Sequence, residues 1–306
     1  MLPCPALLLR RHGGFWKASI LGTEHTLSET REDRTGHAAD LDEDERKNAQ
    51  EEQSLDAKTT HEVIRLEGER ELERSTGALA WSGLAAGLAM GFSLVAQGIL
   101  HHALPDAPWR PLISSLGYSV GFLIVILGSQ QLFTENTLRV MVPLLSRRDG
   151  KTLGNVARVW AVVLAANLAG ALVFAWITAR TEMFDAETRH AFTELSRKAM
   201  EPDFGLTLLR GIFAGWLIAL MVWMLPAAKT AHLWVIVVVT WLVGAAHLTH
   251  VIAGSVEAFY LSALGEQPWD ESLGGFVLPA LIGNVIGGTG LVAALNHAQA
   301  VTGARG

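Results

Sequence analysis

The sequence predicts an all-α membrane protein of six transmembrane helices, arranged as two inverted three-helix repeats in which helices 2 and 5 are broken. Three observations carry this. First, six stretches hold no Asp, Glu, Lys or Arg: 75–105, 111–134, 159–179, 211–228, 230–256 and 272–304. A helix that crosses a bilayer needs about 20 predominantly apolar residues, and each stretch supplies them. One such run can be a buried core helix; six in succession cannot. Second, polar residues interrupt the second and fifth runs. Third, the two halves of the chain repeat the same small and polar residues in the same order. Half of the 306 residues are hydrophobic, mean hydropathy is +0.30, and 30 glycines suit close helix packing in lipid.

The elements follow in chain order. Residues 1–75 carry 17 acidic and 11 basic side chains and so account for the whole net charge of −6. Residues 1–60 are expected to form a disordered acidic cytoplasmic tail, since Glu, Asp, Thr and Ala recur there without periodicity. The apolar run Ala6–Leu9 precedes Arg10, Arg11 and Lys17, the reverse of a secretory signal, so none is expected. One cysteine, Cys4, excludes an internal disulfide framework. From His61 to Arg74 a charged pattern predicts a cytoplasmic helix over 61–75, leading into a channel domain over 76–300.

Loop charge orients the spans. The link between spans 2 and 3 holds Arg139, Arg147, Arg148, Lys151 and Arg158 against Glu135 and Asp149, and the link between spans 4 and 5 holds Lys229. The link between spans 5 and 6 holds Glu266, Asp270 and Glu271 and no base. The positive-inside rule places the first two links in the cytoplasm, and an even span count puts both termini there. Residues 180–210 carry five bases, but six acids and the length of the segment make them a weak counter-vote. The expected location is a bacterial-type inner membrane, crossed many times.

The repeat rests on three pairs. Gly83 and Gly87 in span 1 match Gly211 and Gly215 in span 4; Asn167 in span 3 matches Asn284 in span 6; the interruptions at Thr134 and His250 match in spans 2 and 5. The offsets are 128, 117 and 116 residues. Small residues at spacing four also serve plain packing, yet the coincidence of three pairs favours duplication. Three spans per half insert in opposite senses, the layout that places a solute site near the midplane between broken helices.

Two segments carry the chemistry. Gln130–Thr137 places six polar residues in eight positions, so either span 2 ends at Thr134 or the backbone breaks at membrane depth, which only burial or water allows. His247-Leu248-Thr249-His250 lies in a 27-residue uncharged run, long for one straight helix. An ionisable side chain inside a span marks a functional site by default, and histidine can exchange a proton near neutrality. Glu135 and Glu257 flank the two segments and face either Arg139 or a neighbouring subunit. Phe133, Tyr118 and Phe122 are candidate constrictions. The ten tryptophans are assigned to packing and the interfacial belt.

Leu132-Phe133-Thr134, Asn167-Leu168-Ala169-Gly170, His250-Val251-Ile252-Ala253 and Gly283-Asn284-Val285-Ile286-Gly287-Gly288, in that order over roughly residues 70–300, resemble the formate/nitrite transporter family, in particular its inner-membrane branch with an acidic N-terminal tail. The resemblance implies an aquaporin-like helical fold, a homopentamer and one pore per protomer. It implies His250 as the central pore histidine, Thr134 opposite it, and Asn284 as the pore asparagine, with Asn167 its counterpart in the first half. It places constrictions at Leu132, Phe133 and Phe122 on one side and at Tyr118 and Val243 on the other, and a vestibule lysine at Lys198. Two positions depart from formate channels: Thr249 stands where those have an acid before the histidine, and Glu135 where they have a small residue after the threonine. An added acid raises the cost of admitting an anion unless it is neutralised.

The expected function is a channel or transporter for a small monovalent anion or its conjugate weak acid, formate or nitrite, which binds a His250 imidazolium or takes a proton there. Modulating roles fall to Glu135, Thr249 and Lys198. Rival readings are a neutral-solute channel, which would carry Asn-Pro-Ala boxes absent here, and a closed-pore scaffold or sensor acting through the acidic tail. No nucleophile–base pair, phosphate loop or metal cluster is present in the sequence, so no enzyme, no cofactor, no metal and no nucleic-acid partner are expected.

Overall fold

The computed structural model describes residues 8–12, 15–19 and 56–302, in two units, Met1–Gln53 and Ser54–Gly306. In the first unit β1 (Leu8–His12) and β2 (Phe15–Ser19) pair antiparallel with His12 opposite Phe15. These strands and the start of the charged helix at Ala57, four residues before its expected start, fall within the segment 1–60. The remainder of that tail lies outside the described residues.

Residues 56–302 are helical throughout, apart from turns and links. Helix α1 (Ala57–Glu73) starts on Asp56, whose side chain accepts from the Thr59 N–H at 2.7 Å. It is charged along one face, but Thr60, Ile64, Gly68 and Leu72, four residues apart, form a buried stripe. Arg158 donates to the carbonyls of Leu72 (2.7 Å) and Arg74 (3.0 Å), fixing where α1 ends. The helix is thus docked along one side rather than solvated all round.

Then come α2 (Thr76–Ala103), α3 (Arg110–Leu127), α4 (Phe133–Arg139), α5 (Met141–Arg147), α6 (Gly150–Arg180), α7 (Ala186–Met200), α8 (Phe204–Ala228), α9 (His232–Ala245), α10 (Val251–Leu264) and α11 (Glu271–Gln299). Asp149, Asp185 and Asp203 cap α6, α7 and α8 by one device, accepting from the N–H three residues on. The Asp149 cap starts α6 nine residues before the uncharged run at 159.

Among the described residues five helices are long and apolar enough to cross a membrane: α2, α3, α6, the stretch Phe204–Ala245, and α11. Within Phe204–Ala245 the turn Lys229–Ala231, opened by Lys229 at φ 40°, separates α8 from α9. Helix α10, with 14 residues, is too short to cross alone. The fifth expected span is thus divided between α9 and α10. Trp81 (75% exposed), Trp234 (67%) and the outer face of α6 (Leu172, Val173, Trp176, Ile177) present apolar surface outward, as lipid-facing helices do.

Two helix pairs fix the interior. Gly87 of α2 lies against the Asn167 carbonyl of α6, and Gly215 of α8 lies against the Asn284 carbonyl of α11; a methyl group at either glycine would overlap that backbone. Glycine is required there for approach, and the approach brings each asparagine to a chain break.

Candidate functional site

Helices α3 and α9 stop in the same way. Gln130 N–H donates to the Val125 carbonyl and Leu248 N–H to the Val243 carbonyl, both at 2.9 Å, around Ser129 and His247, each at φ 51°. This is a Schellman-type finish built without glycine. The chain then runs extended through Leu132 (φ −99°, ψ 130°) and His250 (φ −101°, ψ 125°) before α4 and α10 begin. In this register His250 corresponds to Leu132. The matching of Thr134 with His250 as equivalent positions is corrected by two residues, because the positive-φ residue and not the polar side chain sets the register.

A break at membrane depth frees backbone groups that need partners. Asn167 supplies them at the first break: Oδ1 accepts from Phe133 N–H at 2.9 Å, and Nδ2 donates to Gly83 O (2.7 Å) and Gln131 O (2.9 Å). Asn284 repeats the pattern at the second, with Val251 N–H (2.9 Å), Gly211 O (2.9 Å) and Thr249 O (2.8 Å). Both side chains are wholly buried, and their carboxamides are committed to backbone. They hold the breaks open rather than offering a polar atom to a solute.

Between the breaks, Thr134 Oγ1 and His250 Nε2 meet at 2.7 Å. His250 caps α10: its Nδ1 lies 3.2 Å from the Ala253 N–H and accepts from it. A nitrogen that accepts carries no proton, so in the neutral ring the proton sits on Nε2 and is donated to Thr134 Oγ1. The Thr134 hydroxyl hydrogen is then the donor left over. Phe122 meets the imidazole edge-on at 4.9 Å, Tyr118 stacks on Phe122 at 5.5 Å, and Leu132 and Val243 are fully buried. Phe133 packs against Trp160 at 5.8 Å.

On one side of this pair a cavity of about 60 Å³ reaches His250; its lining includes Thr249, His247, Lys198, Arg210, Gln97 and Glu257. A second, of about 210 Å³, shares Gln97, His247 and Lys198 and adds His101, Arg110 and Glu194. Lys198 thus lines both cavities. Sequence reasoning passed over Gln97 and Arg210; their signals were a polar residue inside an uncharged run and a base at the very edge of one. Among the described residues no three His, Cys, Asp or Glu side chains gather as metal ligands do.

Glu135 turns away from the pair. Its Oε2 lies 2.7 Å from Arg139, whose Nε faces Glu67 of α1 at 3.5 Å, and the acid is 1% exposed. Arg139 is one of the two partners expected for it. The added charge is neutralised inside the protomer and α1 is tied to the helix that carries Thr134.

A model of the family described as formate/nitrite transporter matches residues 58–298. The chain is 41% identical to inner membrane protein YfdC of Escherichia coli (strain K12) over 243 residues, 79% of this chain and 78% of that protein. It is 25% identical to formate channel BtFdhC of Bacillus thuringiensis, over 62% of this chain and 74% of that one. Two solved structures share the fold: a pentameric formate channel with formate bound (TM-score 0.62, 19% identity, 74% of this chain and 98% of that one) and an FNT family ion channel (TM-score 0.65, 18% identity, 77% and 96%). The family match spans residues 58–298, from α1 to α11, a range that includes both breaks and both asparagines that hold them, and the chain belongs to the formate/nitrite transporter family.

Proposed function

We propose that this protein is a membrane channel for a small monovalent anion, or its conjugate weak acid, of the formate or nitrite kind, and that the solute passes between Thr134 and His250. The carrying observation is the 2.7 Å contact between these two side chains where both chain breaks meet, closed in by Phe122, Leu132 and Val243. Family membership and the formate channels among the relatives support the same solute class. In this reading α3 with α4 and α9 with α10 are the broken second and fifth spans of two inverted three-helix repeats. Five protomers assemble with one pore each, the membrane is the inner membrane, and both termini face the cytoplasm, the side with the basic link 135–158.

The chemistry follows from the hydrogen-bond inventory. A bare anion in a passage walled by Phe122, Leu132 and Val243 is costly, several kcal/mol per ion even after relaxation. The neutral acid avoids that cost and needs one donor and one acceptor, which the Thr134 hydroxyl supplies with His250 fixing its direction. A doubly protonated imidazole would turn Nδ1–H against Ala253 N–H, so the ring here orients Thr134 rather than serving as a resident cation. Asn167 and Asn284 act as positioning residues, and Lys198 with Arg210 draws the anion into the cavity.

The test is flux. In proteoliposomes Thr134→Val, which keeps the shape and removes the hydroxyl, is expected to lower formate and nitrite uptake by about tenfold or more, with little change in thermal stability. His250→Ala is expected to lose uptake and its pH dependence together. Wild-type flux in both variants would remove the pair from the pathway.

A further inference from the structure

Glu257 is a carboxyl for which nothing above has found a use. It lies on α10 at the spacing His250, Gly254, Glu257, so the three share one helix face, and all three line the cavity that reaches the Thr134–His250 pair. The side chain shows no hydrogen bond or ion pair among the described residues. Of the other acids near this face, Glu194 pairs with His101 at 3.3 Å and His190 at 3.8 Å, Glu266 with Arg197 at 2.8 Å, and Glu135 with Arg139 on the other side of the pair, while Glu201 lies near His247 but does not line the cavity. The groups facing Glu257 across the cavity are Lys198 of α7, Arg210 of α8, Tyr118 of α3, and His247 and His250 of the second break.

We propose that Glu257 is the proton-exchange group of this cavity, handing a proton to the solute anion before it enters the passage, so that each anion crosses with one proton. This deepens the channel reading and rests on it. The reasoning is by elimination among the facing groups. Arg210 does not release a proton, and Lys198 serves as the counter-charge that brings the anion in. His250 is engaged at both ring nitrogens. His247 lines the cavity from an exposed turn, three residues before the start of the helix face that Glu257 shares with His250. Glu257 alone has the chemistry of the solute class itself, and proton transfer between two oxygen acids of similar strength needs little driving force. In the step, the O–H bond of the Glu257 carboxylic acid breaks as an O–H bond forms on the solute oxygen. Glu257 is left as a carboxylate facing Lys198 and Arg210, the neutral acid crosses, and it gives its proton to water beyond the passage. A hydronium ion from the cavity mouth then reprotonates Glu257, and charge and protons balance.

The experiment measures formate uptake and internal acidification together, in proteoliposomes holding a pH-sensitive dye, with protein-free vesicles subtracted. Wild type is expected to take up one proton per formate, with little response to an imposed membrane potential. Glu257→Gln, nearly the same shape with no exchangeable acid proton, is expected to lose about tenfold in flux, to flatten the pH profile, and to make the residual flux respond to potential. Glu257→Asp keeps the acid and is expected to restore the coupling at a lower rate, which separates lost chemistry from lost folding. A Glu257→Gln protein that keeps one-to-one coupling and the wild-type pH profile overturns the inference and leaves the channel reading standing. So does one that only speeds anion flux, since that marks a charge filter. Wild-type protein that passes neither formate nor nitrite overturns the channel reading and this inference with it.

Discussion

At the scale of single residues, the site depends on two asparagines that meet no solute. Each carboxamide satisfies one backbone N–H and two carbonyls that a broken helix would otherwise leave bare. A buried polar group without a partner costs about 1–3 kcal/mol, and three are released at once when either side chain is lost. Asn284→Ala is therefore expected to destabilise the protein by at least about 2 kcal/mol and to lower flux by moving His250, as read by thermal unfolding in detergent beside uptake. Asn284→Asp, which keeps the acceptor for Val251 and loses the two donors, should fall between. A stability equal to wild type in the alanine variant would mean that water or a relaxed backbone replaces the carboxamide. Both asparagines were visible in the sequence as polar residues among small ones in uncharged runs. Their role was not, because an amide that lines a pore and one that pins a backbone have the same sequence signature; only the partners at 2.7–2.9 Å tell them apart.

At the scale of elements, the spans were legible because charge is excluded from them, and the existence of two breaks was legible because polar residues interrupt two of them. The register between the breaks was not. It is set by Ser129 and His247 at positive φ, and neither residue type announces that conformation as glycine would. Nor could the sequence show how α1 docks, since its partners are more than sixty residues away: Arg139, Arg158, and His297, whose Nδ1 lies 2.9 Å from His61 Nε2. At that contact one neutral ring donates and the other accepts. Burial first, and the neighbouring His297 second, hold the His61 imidazole below its ordinary value, against an opposing pull from Glu62. A lowered value means that the docked helix prefers the neutral ring. The contribution to docking is whole above about pH 6.5, the unperturbed value, and is lost as pH falls from there through the lowered one. Hydrogen exchange of the α1 amides, corrected for intrinsic rate, is expected to be faster at about pH 5.5 than at about pH 7.5. His61→Phe should remove most of that difference. Equal protection at both pH values in wild type would show that the Arg139 and Arg158 contacts alone hold the helix.

At the scale of the whole molecule, the described residues that line the proposed passage and both cavities belong to the unit Ser54–Gly306, and so do the glycines and asparagines that shape it. The two rival ideas of a transporter and of a scaffold acting through its tail therefore part company on one deletion. A chain beginning at Ser54 keeps the Asp56 cap, the buried stripe of α1 and its ties to Arg139 and Arg158. It is expected to insert, to unfold within about 2 °C of the full chain, as a change well under 1 kcal/mol implies for a domain of this size, and to carry formate at a rate within about twofold of it. Removal through Glu73 is a different operation, because it also strips Glu67 from Arg139 and leaves the buried Glu135–Arg139 pair open at the foot of the helix that bears Thr134. That larger deletion should lower both stability and flux. If the Ser54 chain folds as well as the full one yet carries nothing, the first 53 residues take part in permeation, and a pore built wholly from the helical unit no longer accounts for transport.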